Sequence, residues 1–172
     1  DEQGSSMISL LRFAAGFLLV AICSTLCIAL ALLLLPSRTA RIRLCNLYGK
    51  IVGRAVAYLA GVTPLVRGRE RLGGSMPAIY VANHTSSLDA FVCIWLCPFG
   101  GCGVFKREIV RVPFYGWIAA LSGHLLLDRG HHGRAVEALR RTGELVRRHR
   151  LGIWIMPEGT RSRDGRLLPF KK

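Results

Sequence analysis

The sequence predicts an α/β fold, a largely parallel sheet flanked by helices, preceded by an N-terminal membrane-associated helical segment. Three observations predict it: an uncharged apolar stretch near the N-terminus, a regular alternation of short apolar runs with helical patterns after Gly61, and an uneven basic excess. Of 172 residues, 51% are apolar and 20% charged, with 24 Lys and Arg against 10 Asp and Glu, a net charge of +14. A disordered chain would be polar, so that class is excluded. The charge asks for an anionic partner, and nucleic acid, an acidic membrane surface and a phosphorylated metabolite all satisfy it.

From Phe13 to Leu35 no charged residue occurs. At 1.5 Å per residue such a helix crosses a hydrocarbon core of roughly 30 Å. A secretory signal would be shorter and would end in a small-residue cleavage site, whereas Pro36-Ser37-Arg38 follows here, so residues 1–36 are expected to be an uncleaved tail and anchor. Arg38, Arg41, Arg43, Lys50 and Arg54 crowd its C-terminal flank against Arg12 alone on the other, which orients the body of the protein toward the cytoplasm. Residues 37–61 form the second unit. There Arg43, Asn46, Lys50 and Arg54 recur at helical spacing opposite Leu44, Leu47, Tyr48, Ile51, Val52 and Val56, the pattern of an amphipathic helix resting on headgroups. The same pattern also suits a helix packed on a domain core, and the first helix can be spanning or re-entrant.

Residues 62–172 form the α/β domain. Val62 to Val66, Ala78 to Ala82, Cys102 to Phe105, His124 to Leu127 and Gly152 to Met156 are expected as strands, with helices at Ser86 to Leu96, Val112 to Leu121 and Arg134 to Arg148. Sheets of this kind bind ligands beyond the C-terminal ends of their strands. Those positions hold Asn83-His84, Lys106-Arg107, Asp128-Arg129 and Pro157-Glu158-Gly159-Thr160-Arg161. The six cysteines lie in apolar stretches without CxxC spacing, so they are expected as buried thiols and no metal site is expected.

His84 follows an apolar strand, and Asp89 lies five residues on, inside the first turn of a helix. The carboxylate can hold one ring nitrogen while the other faces the cleft as a base. No G-x-S-x-G occurs to supply a nucleophile, and Ser86 or Ser87 suits a helix cap, so the base is suited to activating a substrate hydroxyl. Gly159, Thr160 and Arg161 are the parts a phosphate needs: accessible backbone N–H groups, a hydroxyl and a guanidinium fork. Lys106, Arg107 and Arg129 add cations at neighbouring strand ends. Base and cradle together make a site for a phosphorylated alcohol.

His84 and Asp89 as H-x4-D, KREIVRVPFYGW from Lys106 with Gly123 and Asp128-Arg129, and Glu158-Gly159-Thr160-Arg161-Ser162 stand in one order. In that order the chain resembles the 1-acyl-sn-glycerol-3-phosphate (lysophosphatidic acid) acyltransferase family of glycerolipid acyltransferases over about residues 44–172. The family's domain continues to a fourth, apolar and proline-containing motif, so the domain is expected to be truncated after the third. The resemblance implies transfer of a fatty acyl group from acyl-CoA or acyl carrier protein, a co-substrate rather than a cofactor, to the 2-hydroxyl of lysophosphatidic acid, giving phosphatidic acid. His84 and Asp89 are then catalytic, and Lys106, Arg129, Glu158, Gly159, Thr160 and Arg161 bind substrate. Lys106 or a backbone N–H near it would meet the oxyanion. Expected partners are membrane phospholipid and lysophospholipid with the acyl carrier, and no nucleic acid, at the cytoplasmic face of a bacterial inner membrane. Two other readings use the same residues: a lipid hydrolase working through the His-Asp pair, and a non-enzymatic basic membrane tether built on the helix RAVEALRRTGELVRRHR.

Overall fold

The computed structural model describes residues 2–72, 76–128 and 130–171, without the side chains of residues 2–5 and 132. Two helices come first: α1 (Glu2–Leu33) and α2 (Arg38–Leu59), joined by a tight turn in which the Ser37 hydroxyl accepts the Ala40 N–H and caps α2. Then come β1 (Ala78–Val81), α3 (Asp89–Leu96), β2 (Gly101–Lys106), α4 (Tyr115–Leu121), β3 (Leu125–Leu127), α5 (His132–His149) and β4 (Gly152–Ile155). The four strands form one sheet in the order β1-β4-β2-β3, and every pair is parallel. The expected architecture is therefore the observed one, with α3 and α4 shortened at their N-termini. Pro113 follows a short 3-10 turn over Arg107–Arg111, and α4 starts only beyond it.

Val62 to Val66 is not a strand. Helix α2 closes by N–H bonds from Gly61 to the Tyr58 carbonyl and from Val62 to the Ala57 carbonyl, with Gly61 at φ 76°. Beyond that closure Pro64 removes a ladder donor, and Leu65 stands 79% exposed. An apolar run has given no strand because no sheet edge takes it.

Helix α1 is the one described helix long and apolar enough to cross a membrane. Leu10, Phe13, Phe17, Leu18, Leu26 and Leu33 all lie at least half exposed along it. Helix α2 divides differently from its sequence pattern. Asn46, expected on the polar stripe, is buried: its Nδ2 donates to the Gly101 carbonyl at 2.9 Å and its Oδ1 accepts the Gly100 N–H at 2.7 Å. Leu47 and Ile51, expected on the buried side, are exposed beside Arg43 and Arg54. Two arginines counted toward the basic flank are bound to the domain, Arg38 Nε to the Gly123 carbonyl and Arg41 Nη1 to the Leu121 carbonyl, each at 2.7 Å. So α2 is a core helix on one side and an apolar-basic surface on the other.

Core packing follows two faces. Cys27 of α1, Cys45, Tyr48 and Val52 of α2 and Ile118 of α4 form one buried cluster. Across the sheet, Val146 of α5 meets Cys102, Leu151 and Ile42. On α5, Val136 is half exposed, while Thr142 is buried and accepts from Arg38 Nη2.

Helices α2 and α3 approach closely because Gly49 and Gly53 have no side chains. A Cβ on Gly49 would lie 2.7 Å from the Ile94 carbonyl oxygen, and one on Gly53 would collide with the Phe91 carbonyl. Gly53→Val is therefore expected to destabilise the fold by about 2 kcal/mol or more through overpacking. Gly143→Ala, in α5 with nothing within 4 Å, should raise stability by roughly 0.5–1 kcal/mol. Thermal unfolding of both variants in detergent checks the contrast.

Candidate active site

Parallel pairing of β1 with β4 aligns Ala78 with Gly152 and Val81 with Ile155, which brings the loop carrying His84 beside the loop carrying Glu158 to Arg161. Asp89 opens α3, and its Oδ2 accepts from the Thr85 N–H at 2.7 Å, from the Ser86 N–H at 2.8 Å and from His84 Nδ1 at 3.0 Å. Burial pushes the Asp89 pKa up. The Ser86 N–H, the His84 ring and the Thr85 N–H outweigh it and hold the carboxyl below its ordinary value. At neutral pH Asp89 is thus an ionised acceptor, which fixes the proton on Nδ1 and leaves Nε2 to the cavity that His84 lines. Neither serine caps α3. The Ser86 hydroxyl accepts the Leu88 N–H at 3.2 Å, and the Ser87 hydroxyl accepts from Arg161 Nη1.

The cavity holds about 350 Å³. At the strand ends it is lined by His84, Lys106, Thr160 and Arg161. Cys93 and Ile94 of α3, with Tyr115, Trp154, Cys45, Asn46, Cys97 and His124, line the rest, and the lining is mainly apolar. The sequence marked none of the latter as cavity residues: Asn46 read as part of a polar stripe, His124 as the start of a strand, and Cys45, Cys93 and Cys97 as buried thiols.

The expected substrate residues divide into three groups. Lys106, Thr160, Gly159 and Arg161 line the cavity, although the Gly159 N–H donates to the Met156 carbonyl at 3.1 Å inside a turn, with Gly159 at φ 68°. Glu158 does not line it. Its side chain is buried at 1% exposure, with Oε1 accepting the His84 N–H and Oε2 the Leu168 N–H, both at 2.9 Å. Arg129 lies outside the described residues. Its neighbour Asp128 accepts from the Gly130 N–H at 3.1 Å and stands 3.4 Å from the His131 ring, away from the cavity. Among the described residues no group of three His, Cys, Asp or Glu side chains is placed to hold a metal ion.

The fold and site define a class: a parallel α/β protein with a His-Asp pair at a strand end, bordering a mainly apolar cavity that Lys106 and Arg161 also line. Comparison with known proteins narrows the class. A family model described as Acyltransferase matches residues 63–172. A 1-acyl-sn-glycerol-3-phosphate acyltransferase of Limnanthes douglasii is 38% identical over 174 aligned residues, covering 100% of this chain and 61% of that protein. One of Cocos nucifera is 38% identical over 172 residues, covering 100% of this chain and 55% of that protein. The crystal structure of the 1-acyl-sn-glycerophosphate (LPA) acyltransferase PlsC from Thermotoga maritima shares the fold, with a TM-score of 0.73 at 23% identity over 99% of this chain and 67% of that one. The chain belongs to the acyltransferase family. It spans about three fifths of the length of the plant relatives.

His124, which also lines the cavity, accepts the Gly103 N–H on Nδ1 at 3.2 Å. Burial, with Arg38 adding to it, lowers its pKa to about 4 from 6.5. Below pH 6.5 the unfolded chain binds a proton that the folded chain refuses, so stability is full above that pH and falls as pH drops toward 4. The loss approaches about 3 kcal/mol at the acid end. His124→Asn, which keeps an acceptor and removes the titration, should flatten the dependence of the unfolding temperature between pH 7 and 4.5; equal slopes for both proteins would contradict this.

Proposed function

We propose that this chain is the catalytic portion of a 1-acyl-sn-glycerol-3-phosphate acyltransferase, moving a fatty acyl group from acyl-CoA or acyl carrier protein to the 2-hydroxyl of lysophosphatidic acid. The observation that carries the reading is that His84, held through Nδ1 by Asp89, lines a mainly apolar cavity that Lys106 and Arg161 also line. The printed names of the relatives agree with it.

In this reading His84 takes the proton of the acceptor hydroxyl as its oxygen attacks the thioester carbonyl. The C–S bond breaks, the ester bond forms, and the same proton leaves with the thiolate, so the reaction balances without metal or redox cofactor. Asp89 holds the ring tautomer and stabilises the imidazolium. Lys106, a cation at the end of β2 that lines the cavity, meets the oxyanion in this reading. Arg161 and Thr160 meet the phosphate. Arg161 is presented to the mouth by the Ser87 hydroxyl, a partner that phosphate oxygens can replace with a charge-assisted fork. Because α1 is lined with exposed apolar side chains and α2 shows Arg43, Leu47, Ile51, Arg54 and Tyr58 on one exposed stripe, the reading puts the cavity mouth at a membrane surface, on the cytoplasmic side of a bacterial inner membrane.

His84→Ala is expected to lower acyl transfer by at least a thousandfold, and Asp89→Asn by about a hundredfold, with unfolding temperatures within a few degrees of wild type. Mass spectrometry of the products, with lysophosphatidic acid and each thioester offered in parallel, checks this. Release of free fatty acid in place of phosphatidic acid would assign the pair to hydrolysis instead.

The surface of α2 generates a separate expectation. Leu47→Glu with Ile51→Glu should reduce turnover of vesicle-embedded lysophosphatidic acid at least fivefold, while turnover of a short-chain monomeric analogue stays within twofold. Equal turnover by variant and wild type on vesicles would show that this stripe faces water.

A further inference from the structure

Glu158 has the wrong surroundings for a substrate ligand. Its carboxylate is buried, it borders no part of the cavity, and both oxygens are taken by peptide N–H groups. Among the described residues no cationic side chain is ion-paired with it. What it holds is the main chain of His84. The regular β1–β4 ladder reaches Ala82, whose N–H donates to the Ile155 carbonyl at 3.1 Å. Beyond that point the β4 strand ends and Gly159 turns the chain, so main-chain pairing cannot continue in register. Glu158 Oε1 then accepts the His84 N–H, and the Ser162 N–H donates to the His84 carbonyl at 2.8 Å. Both polar groups of the His84 main chain are thus held by one loop.

We infer that Glu158 is a positioning residue that fixes the main chain of the base, while Asp89 fixes its ring. The inference rests on His84 being the general base. The two holds are complementary, since a ring hydrogen bond sets the tautomer and tilt but not the origin of the side chain at Cα. Displacing that origin by 1 Å is the kind of error that costs a hundredfold in rate without touching the substrate. The residue type follows from the geometry. Two N–H donors approach two oxygens of one group, and a carboxylate alone accepts at both. A glutamine turns one of these contacts into N–H against NH2, and an aspartate is a methylene too short to reach both.

The test is steady-state kinetics of the full chain in detergent micelles with acyl-CoA and varied lysophosphatidic acid, for wild type, Glu158→Gln and Arg161→Ala. Glu158→Gln is expected to lower kcat at least tenfold with the acceptor KM within twofold. Arg161→Ala should raise that KM at least tenfold. A tenfold rise in KM for Glu158→Gln with kcat unchanged would make Glu158 an acceptor ligand and overturn the inference, as would wild-type values for both constants. Should the variant not fold, amide hydrogen exchange of the wild-type chain decides: protection of the His84 amide by at least a hundredfold over an unstructured peptide supports the clasp, and exchange at the peptide rate overturns it. Failure of the acyltransferase reading has its own signature, a wild type that forms no phosphatidic acid from either thioester while the His84 amide remains protected.

Discussion

The parallel register of β1 with β4 is the constraint on which the site depends. Two segments more than seventy residues apart in sequence become neighbours because Ala78 to Val81 align with Gly152 to Ile155, and everything chemically active follows from the ends of that pair. A parallel pair requires a crossover, and here the crossover contains all of α3, β2, α4, β3 and α5. The sheet therefore closes on itself late, with β4 inserted between β1 and β2. The His84 loop and the loop bearing Arg161 meet only once the last strand is in place, so the site is a property of the completed sheet and of no smaller unit.

Helix α2 supplies the second support. It is rooted at the opposite ends of the strands, where Asn46 braces Gly100 and Gly101 and Arg38 and Arg41 bind carbonyls before β3. Gly49 and Gly53 let α3 settle onto it, and α3 forms one wall of the cavity and carries Asp89. The position of the carboxylate that holds the His84 ring is thus set by close packing of two helices as well as by local hydrogen bonds.

Much of this arrangement was legible in the sequence, for identifiable reasons. The parallel strands read as short apolar runs, and their C-terminal ends are marked by the polar residues that follow, so His84, Asp89 and Arg161 could be found from order and spacing. Side-chain direction could not. Glu158 next to a glycine and an arginine resembles a ligand of the substrate in sequence, yet the chain turns at Gly159 and points it behind the base. Asn46 sat at helical spacing with three cations and looked exposed, whereas it is the one polar residue of that row with two backbone groups to satisfy. Val62 to Val66 had a strand's composition, but a strand also needs a neighbour, and composition carries no information about neighbours.

The rooting of α2 has a mechanical meaning. Helix α1 is held to the domain by packing as well as by its covalent connection: it turns directly into α2, shares the cluster of Cys27, Cys45 and Tyr48 with it, and its Phe17 ring meets that of Phe114, just before α4, at 5.9 Å. The two helices act as a strut rather than a leash. Because packing joins α1 to α2 and α4, a surface that holds α1 also bears on the orientation of the candidate cleft.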